Sequence, residues 1–458
     1  MKNLTDSKTA LIIATLSSFT TPFMFSGMNV ALPTLAKEFN LDAITLSWVV
    51  SAYALSAAIF LIPFGRLADI YGRKKIFLMG LIIFNLFSLL IVFAPSALFL
   101  ILLRAIQGVG GAMIFATSTA ILISATEPSQ KGKALGLNVA SVYLGLSLGP
   151  FLGGILTGTI GWRSIFYLTV ALGIFLIYLT SFHLKGEWAE ARGKKFDSIG
   201  SIIFSIAFLF LMYGASHLTE NYGVIILILG ILLFMLFVFW ELKYSEPIIN
   251  LKFFIKNTVF AYSNLAALVN YSATSAVTFL LSLYLQYVKG LDAKFAGTIL
   301  IAQPVFMAII SPVAGKLSDN IEPKYIASIG MGITVIGLLL FIPINLDTPL
   351  FYVIINLVIL GIGFGLFSSP NTNAVMSSVT REYYGIASAT IGTMRLSGQM
   401  LSLGIVMLCF SIFMGRTKID VEIFPEFIKS LKVIFIIFSG LCIAGIFASL
   451  ARGKLRNL

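Results

Sequence analysis

The chain has 458 residues, of which 58% are hydrophobic and 11% charged, and its mean hydropathy is +0.99. Because a soluble domain cannot bury so much apolar surface, this composition excludes a soluble enzyme or binding module and indicates an integral membrane protein. The net charge of +12 would suggest a nucleic-acid partner in a soluble protein. Here the basic residues are dispersed among loops, as the positive-inside rule predicts for a membrane protein, and no nucleic acid is expected.

Long apolar segments recur along the whole chain. A helix needs about 20 apolar residues to cross the hydrocarbon core, so these segments predict fourteen membrane-spanning helices with both termini on one side. Most of the 31 lysines and arginines fall in loops on that side, which predicts cytoplasmic termini. The predicted spans are residues 9–32, 44–64, 76–94, 97–123, 134–158, 165–184, 198–217, 222–243, 258–287, 295–315, 324–344, 349–370, 385–414 and 428–450.

The first span is rich in small hydroxyl residues and is predicted to end at the sequence Asn-Val-Ala-Leu-Pro, residues 29–33. This ending resembles the first helix of the fourteen-span drug:proton antiporters of the major facilitator superfamily. When the two are aligned on Asn29, Met24 stands where that family has an aspartate, and Ser26 where it has a threonine. The missing carboxylate predicts that proton coupling, if present, differs from the family's scheme.

A charged segment with two glycines, residues 65–75, links the second and third spans. The glycines Gly65 and Gly72 predict a tight turn, and Asp69 is expected near the positive N-terminal end of a neighbouring helix. The pattern Gly-x-Leu-Ala-Asp-x-x-Gly-Arg-Lys-Lys resembles the loop between helices two and three of the superfamily. The resemblance implies that these three residues and Arg73 form a conformational-switch loop, which we expect to latch the two halves of the molecule together.

The fourth span places Arg104 within the hydrocarbon. A buried arginine costs about 2.5–3.5 kcal/mol on insertion scales, so its side chain should face the protein interior or water. The sequence Arg-x-x-Gln-Gly resembles the superfamily's second motif, which implies that Arg104, Gln107 and Gly108 handle protons and substrate. The residues alone also allow a structural role, in which Arg104 snorkels to the membrane surface or binds backbone carbonyls.

The fifth span contains the glycine motif, which we define as Gly145, Gly149, Pro150, Gly153 and Gly154. Proline removes a backbone hydrogen bond and glycines allow close helix contact, so the motif predicts a bent or closely packed helix. A purely architectural bend is one interpretation. The spacing also resembles the antiporter motif that marks exporters within the superfamily.

Two extra spans, the seventh and eighth, are flanked by polar linkers at 185–197 and 246–251. They separate six spans from six. The sequence therefore predicts an N-terminal six-helix bundle at 1–184, a linker with two transmembrane helices at 185–256, and a C-terminal six-helix bundle at 257–458.

The second bundle repeats the first more weakly, as parallel repeats do in this fold. Residues 315–319 are a shortened echo of the charged loop, and Arg395 is the second arginine inside a span. We expect Arg395 to take part in proton or substrate handling. We expect a set of uncharged residues to line a central cavity, namely Ser26, Asn29, Tyr53, Asn138, Tyr143, Asn270, Tyr271, Asn371 and Gln399. For each of them, packing or hydrogen bonding between helices is the alternative role.

The resemblance implies an all-α membrane protein of the major facilitator fold, with two six-helix bundles plus two linker helices. It also implies a multi-pass protein of the prokaryotic plasma membrane, of the multidrug, quaternary-ammonium or tetracycline efflux type. Such a protein exports amphipathic drug-like compounds by alternating access, with protons as the coupling ion and a substrate site near the midplane. One alternative is an exporter of an endogenous anionic or lipid-like metabolite, with the buried arginines as counter-ions.

An enzyme and a receptor built on a transporter scaffold are the remaining alternatives. The sequence has no Walker loop, catalytic triad, paired carboxylates or metal-ligand spacing, so we expect neither catalysis nor a cofactor. The expected partners are a small-molecule substrate, protons and the lipid bilayer. Because all 19 acidic residues fall in loops, termini or span ends, we also expect poor transport of permanent dications.

Overall fold

The protein is described by a computed structural model. The structure describes residues 4–127, 131–218, 220–245, 247–248, 257–379, 384–415 and 417–453. Within these ranges, fourteen helical segments are long and apolar enough to cross a membrane. This confirms the predicted number of spans and the all-α class, and the protein is a multi-pass integral membrane protein.

The helices follow one another in the predicted order. The N-terminal bundle comprises α1 (Leu4–Phe39), α2 (Ala43–Tyr71), α3 (Arg73–Val92), α4 (Ala97–Ala125), α5 (Lys131–Thr159) and α6 (Arg163–Phe182). The linker helices are α7 (Ser198–Ser216) and α8 (Asn221–Lys243). The C-terminal bundle comprises α9 (Thr258–Thr274), α10 (Val277–Leu283), α11 (Ala293–Leu300), α12 (Ala302–Asn320), α13 (Pro323–Phe341), α14 (Leu350–Ser377), α15 (Tyr384–Phe413) and α16 (Phe424–Ala451). A π-helical segment, Tyr284–Val288, follows α10.

Each bundle is held together by long helix–helix contacts. In the N-terminal bundle α1 packs against α5, and α4 against α2 and α3. In the C-terminal bundle α14 packs against α12 and α13, and α9 against α15 and α16. Helix α7 lies beside α2, where the rings of Trp48 and Tyr213 are 6.4 Å apart. We call the side that holds both termini the terminal side, and the opposite side the far side.

Helix α1 is longer than predicted and does not end at Pro33, since it continues to Phe39. A proline inside a helix leaves the carbonyl four residues earlier without its usual partner. Here that carbonyl belongs to Asn29, and the hydroxyl of Ser282 in α10 donates to it at 2.7 Å. The C-terminal bundle therefore satisfies a backbone group that the proline exposes, which explains why the helix is not broken.

Two spans of the C-terminal bundle are interrupted, although the sequence predicted continuous helices. The ninth span breaks between Thr274 and Val277, where the hydroxyl of Ser402 accepts a hydrogen bond from the free amide of Ala276 at 3.0 Å. The tenth breaks near Ile301, because Pro304 has no N–H to donate to the preceding turn.

The charged segment 65–75 is not the two-glycine turn that the sequence predicted. Helix α2 continues to Tyr71, so Gly65 is helical, and the chain reverses at Gly72, whose φ is +119°. The carboxylate of Glu187 accepts hydrogen bonds from the first amides of α3, at 2.8 Å from Lys74 N. Glu187 thus occupies the N-terminus of α3, while Asp69 pairs with the side chain of Arg73, the first residue of that helix.

The two predicted linkers differ in how much of them is described. The segment 185–197 lies against the N-terminal bundle, where Trp188 O accepts from Arg73 N and Asp69 O from Ala191 N, each at 2.9 Å. Most of the second linker, 246–251, and the residues just before the predicted bundle boundary at 256 lie outside the described residues.

Candidate functional site

A cavity lies between the two bundles, with walls from α1, α2, α4 and α5 on one side and α9, α10, α12, α14 and α15 on the other. Its volume is about 140 Å³, below the ~300–1,000 Å³ of typical small-molecule pockets. The conformation is therefore contracted around the cavity. Six aromatic side chains contribute to its wall, namely Phe25, Tyr53, Phe115, Tyr143, Tyr271 and Phe364.

Most of the polar residues proposed for a cavity wall do lie there. The lining includes the predicted residues Ser26, Asn29, Tyr53, Tyr143, Tyr271 and Gln399, together with Pro150 of the glycine motif. Arg395 also lines the cavity and is the one charged side chain among the described lining residues. Both bundles thus contribute hydrogen-bonding groups to one space.

The other three predicted cavity residues are not among those that line this cavity. Asn138 donates to the Thr119 hydroxyl at 3.2 Å, which joins α5 to α4. Asn270 lies 4.0 Å from the Cys442 sulfur, between α9 and α16. Asn371 donates to a backbone carbonyl of α9. These amides bridge neighbouring helices, because a polar group buried in a bundle gains most by pairing within it.

Arg104 is fully buried and does not line the cavity. Its Nε donates to the Val49 carbonyl at 3.1 Å, and its Nη1 donates to Gln107 Oε1 at 2.8 Å and lies 2.9 Å from the Met24 sulfur. The guanidinium carbon lies 4.6 Å from the centre of the Tyr53 ring. Arg104 therefore does not snorkel but binds a backbone carbonyl, and its part in proton or substrate handling stays a prediction.

Tyr53 separates Arg104 from the cavity. The ring lines the cavity on one side and lies against the guanidinium on the other. Gly108 lets the backbone of α2 approach closely, because a Cβ at that position would lie 2.5 Å from the Tyr53 carbonyl oxygen. The side-chain amide of Gln107 donates a hydrogen bond to the Ser88 hydroxyl at 2.6 Å. The second motif thus forms a closed cluster behind the cavity wall.

The glycine motif lets α5 pack directly against two helices. A Cβ on Gly145, Gly149 or Gly153 would collide with atoms of α1, and a Cβ on Gly154 with the Ala293 carbonyl of α11. Helix α5 itself continues without interruption through the motif. The motif therefore serves close contact within the N-terminal bundle and across to the C-terminal bundle.

The bundles are joined on the far side of the cavity. Besides the bond to Asn29, Gln286 donates to the Val30 carbonyl at 3.0 Å, and Ala43 N donates to the Thr417 carbonyl at 3.0 Å. In the terminal half of the cavity, the hydroxyls of Tyr143 and Ser368 are hydrogen bonded to each other. The far side is therefore closed by contacts between the backbones and side chains of both bundles.

Among the described residues, the ionic contacts of Arg73 lie on the terminal side, within the N-terminal bundle and the linker. Arg73 pairs with Asp69 at 2.8 Å and Glu190 at 3.0 Å, and donates to the Ser124 hydroxyl at 2.7 Å. These partners belong to α2, α4 and the linker 185–197. In this conformation Arg73 and Asp69 fasten the linker to the N-terminal bundle, and a latch between the two halves stays a prediction.

Several lining residues were not predicted. Gln303 and Thr278 are polar residues within apolar spans, a signal that could have identified them. Phe25, Phe115 and Phe364 carry no such signal, because a phenylalanine in a span looks the same whether it faces lipid, protein or a cavity. The far-side ion pair of Glu38 and Arg163, at 2.6 Å, was also missed.

The chain is similar to known transporters over most of its length. The sequence profile of the Major Facilitator Superfamily matches residues 14–403. The chain is 31% identical to the riboflavin transporter RibZ of Clostridioides difficile (strain 630), over 84% of this chain and 84% of that protein. It is 30% identical to the multidrug resistance protein Stp of Mycobacterium tuberculosis (strain CDC 1551 / Oshkosh), over 83% of this chain and 71% of that protein. It is 29% identical to the cephamycin export protein CmcT of Amycolatopsis lactamdurans, over 87% of this chain and 84% of that protein.

Solved structures share the fold. A bacterial homologue of the human lysosomal transporter Spinster superposes with a TM-score of 0.71 at 15% identity, over 98% of each chain. The human transporter MFSD10 superposes with a TM-score of 0.67 at 12% identity, over 97% of this chain and 99% of that one. At these identities the likeness establishes the architecture alone.

Proposed function

The chain belongs to the major facilitator superfamily, and on that premise we propose that it is a secondary active exporter of amphipathic small molecules. The observation that carries the proposal is the cavity between the bundles, which has aromatic walls and hydrogen-bonding groups from both of them. A site shared by two bundles opens to one side or the other when the bundles rock against each other, which is alternating access.

Export, rather than import, is supported by two observations. The glycine motif resembles the antiporter motif, and it packs α5 against both α1 and α11, so a rocking motion must slide these contacts. Relatives are named for multidrug resistance and cephamycin export. We place both termini in the cytoplasm of a prokaryotic cell, so the closed far side faces outward in this conformation.

We also propose that inward proton movement drives export. The resemblance of the glycine motif to that of antiporters supports this step. No carboxylate lines the described part of the cavity, and Arg104 is sealed from it by Tyr53. The proton therefore does not compete with the substrate for an acid in the cavity, as it would in an antiporter with a membrane aspartate.

A second candidate is transport of an endogenous metabolite. A riboflavin transporter is among the relatives, at 31% identity. The aromatic walls of the cavity suit a flat ring system as well as they suit a drug. The two candidates differ in substrate and share the same site and motion.

The test is uptake into inverted vesicles or proteoliposomes with an imposed pH gradient. A panel should include aromatic drugs of different charge, riboflavin, and a vesicle preparation without the protein. Export predicts uptake into inverted vesicles that collapses when the pH gradient is dissipated. Uptake that ignores the gradient removes the proton-coupling proposal, and uptake of riboflavin alone selects the metabolite candidate.

A further inference from the structure

Among the described residues that line the cavity, one carries an ionic group, and it is a cation. Arg395 lies in the terminal half of α15 and is partly exposed to the cavity, and no acidic residue is among the described residues that line it. From this arrangement, and resting on the proposed function, we propose that Arg395 binds the anionic group of a flat, amphipathic substrate. The site would accept a carboxylate or sulfonate attached to an aromatic ring system.

The guanidinium of Arg395 is oriented for such a contact. Its carbon lies 4.4 Å from the centre of the Phe115 ring, so one flat face is covered by an aromatic side chain. Stacking covers the face of a guanidinium and leaves the N–H groups at its edge free to form a forked, bidentate contact with a carboxylate. The described structure places no acidic partner within ion-pair distance of this group.

Two tyrosines lie next to Arg395. The Tyr271 hydroxyl lies near Arg395 and Ser368, and the hydroxyls of Tyr143 and Ser368 are hydrogen bonded. Hydroxyl donors beside a guanidinium extend it into a cradle for several oxygen atoms. The ring of Tyr271 meets that of Phe364 edge to face at 5.3 Å, which continues the aromatic wall.

The opposite end of the cavity supplies acceptors. Asn29 is 3% exposed and lies in the far-side half of α1, while Gln303 lies at the start of α12. The side-chain oxygens of both are buried without a hydrogen-bond partner. A substrate with N–H or O–H groups on its ring system would satisfy them. The cavity thus has an anion-binding end toward the terminal side and an acceptor end toward the far side.

An organic cation meets the opposite conditions in the same space. It would lose water without gaining a carboxylate, and it would lie near the positive charge of Arg395. Contacts with the aromatic walls return only part of that cost. The charge of Arg395 therefore selects anionic over dicationic substrates of similar shape.

The experiment compares matched probes in inverted vesicles. Anilinonaphthalene sulfonate carries the anion, N-phenylnaphthylamine is the related uncharged ring system, and propidium is an aromatic dication. We expect wild-type uptake of the first two and little of the third. Arg395→Gln should lower anion uptake about tenfold or more while leaving the uncharged probe within about twofold. Arg395→Lys should restore part of the anion uptake, and Lys195→Gln, which removes an exposed cation of the linker outside the cavity, serves as the control.

A second variant reverses the charge without removing Arg395. Gln399 lies one turn along α15 on the cavity wall, so Gln399→Glu, of nearly identical shape, places a carboxylate beside the guanidinium. It should lower anion uptake and raise propidium uptake. This variant keeps the inference testable if Arg395→Gln fails to fold.

The outcomes separate this inference from the proposed function. Equal loss of the charged and uncharged probes in Arg395→Gln, or no change in either, would overturn the inference, as would wild-type propidium uptake equal to that of the anion. If wild-type vesicles take up none of the probes, export of amphiphiles fails. Fluorescence of anilinonaphthalene sulfonate bound to purified wild type and Arg395→Gln then decides the inference by itself: weaker binding to the variant supports it, and equal binding overturns it.

Discussion

The two bundles each carry one arginine within a span, and the two side chains have opposite surroundings. Arg104 is fully buried behind Tyr53 and binds groups of its own bundle. Arg395 is partly exposed, stacks on Phe115 of the opposite bundle and faces the cavity. One arginine is packed inside its bundle, and the other lies on the wall of the space between the bundles.

This difference extends to the helices around each arginine. The N-terminal bundle has unbroken helices packed through glycines, whereas spans nine and ten of the C-terminal bundle are interrupted beside the cavity. Interrupted helices expose backbone and side-chain polar groups that continuous ones keep internal. We infer that the N-terminal bundle acts as the stiffer half and that the C-terminal bundle carries more of the recognition chemistry.

The strongest test of the comparison is Arg104→Ala. It removes a large buried side chain and leaves the Val49 carbonyl and Gln107 without their partner. Lost packing and unpaired polar groups should cost about 3–5 kcal/mol of stability. We expect little folded protein after extraction in detergent, measured by size-exclusion chromatography and thermal unfolding.

Arg104→Met is the matched variant, since it keeps much of the volume and removes the charge. If packing is the main role of Arg104, this variant should fold better than Arg104→Ala. Arg104→Ala protein that folds as the wild type does and loses only transport would instead make Arg104 a functional group, and the contrast between the two arginines would disappear.

A smaller effect is expected from Gly149→Ala. The added Cβ would lie 2.8 Å from the Phe23 carbonyl oxygen and 2.9 Å from Gly27 N, both of α1. The collision with backbone cannot be relieved by a side-chain rotation, so α1 and α5 must separate at a cost of about 1–3 kcal/mol. We expect folded protein with transport lowered more than about tenfold.

Gly158→Ala is its control on the same helix, because a Cβ there would meet Lys294 at an ordinary 3.6 Å. Transport by this control should equal that of the wild type. Equal transport by both alanine variants would show that the close contact of α1 with α5 is dispensable.

Much of the architecture could be predicted from the sequence, because length and hydropathy determine how many helices cross the membrane. The surroundings of each arginine could not. Arg104 and Arg395 are both single cations in apolar spans, and which face of a helix meets a cavity depends on neighbours that are distant in the chain. Asn270 and Asn371 illustrate the same limit, since each amide was equally able to face a cavity or a neighbouring helix.

Local signals were also overridden by tertiary contacts. Pro33 predicted a helix end, but Ser282 of the other bundle satisfies the carbonyl that the proline frees. Gly65 predicted a turn, yet the helix continues to Gly72, where the positive φ requires glycine. In the first case the deciding contact comes from the other bundle, and in the second only one of the two glycines in the pattern forms the turn.

Met24→Asp tests whether the sealed arginine can be converted into an ion pair. The Asp Oδ atoms follow Cβ and Cγ as the Met sulfur does, so an oxygen would lie near the sulfur position, 2.9 Å from Arg104 Nη1. Arg104 Nη2 has no hydrogen-bond partner among the described residues and could complete a bidentate contact. We expect a gain in stability of about 1.5–3 kcal/mol, measured by thermal unfolding.

Met24 is fully buried and does not line the cavity, so the new carboxylate should not attract cationic substrates. Propidium uptake should stay as low as in the wild type. The matched variant Met24→Asn has the same shape without the charge and should not be stabilised. Strong propidium uptake by Met24→Asp would mean that position 24 is accessible to substrate, and that the N-terminal arginine is not sealed.

The smallest effect is expected from Asp69→Asn, which tests whether the N-terminal bundle depends on its ionic contacts as well as its packing. The Asp69 side chain is 38% exposed, and Arg73 keeps Glu190 and Ser124 as partners when the charge of Asp69 is removed. A partly exposed ion pair contributes about 0.2–1 kcal/mol. We therefore expect a small loss of stability and a loss of transport much smaller than that of Gly149→Ala.

Asp69→Asn combined with Glu190→Gln leaves the largely buried Arg73 without an anion, so the loss of stability in the double variant should exceed the sum of the two single losses. Additive losses would show that the two carboxylates act independently, and a single-variant loss as large as that of Gly149→Ala would make charge, rather than close packing, the main requirement of this bundle.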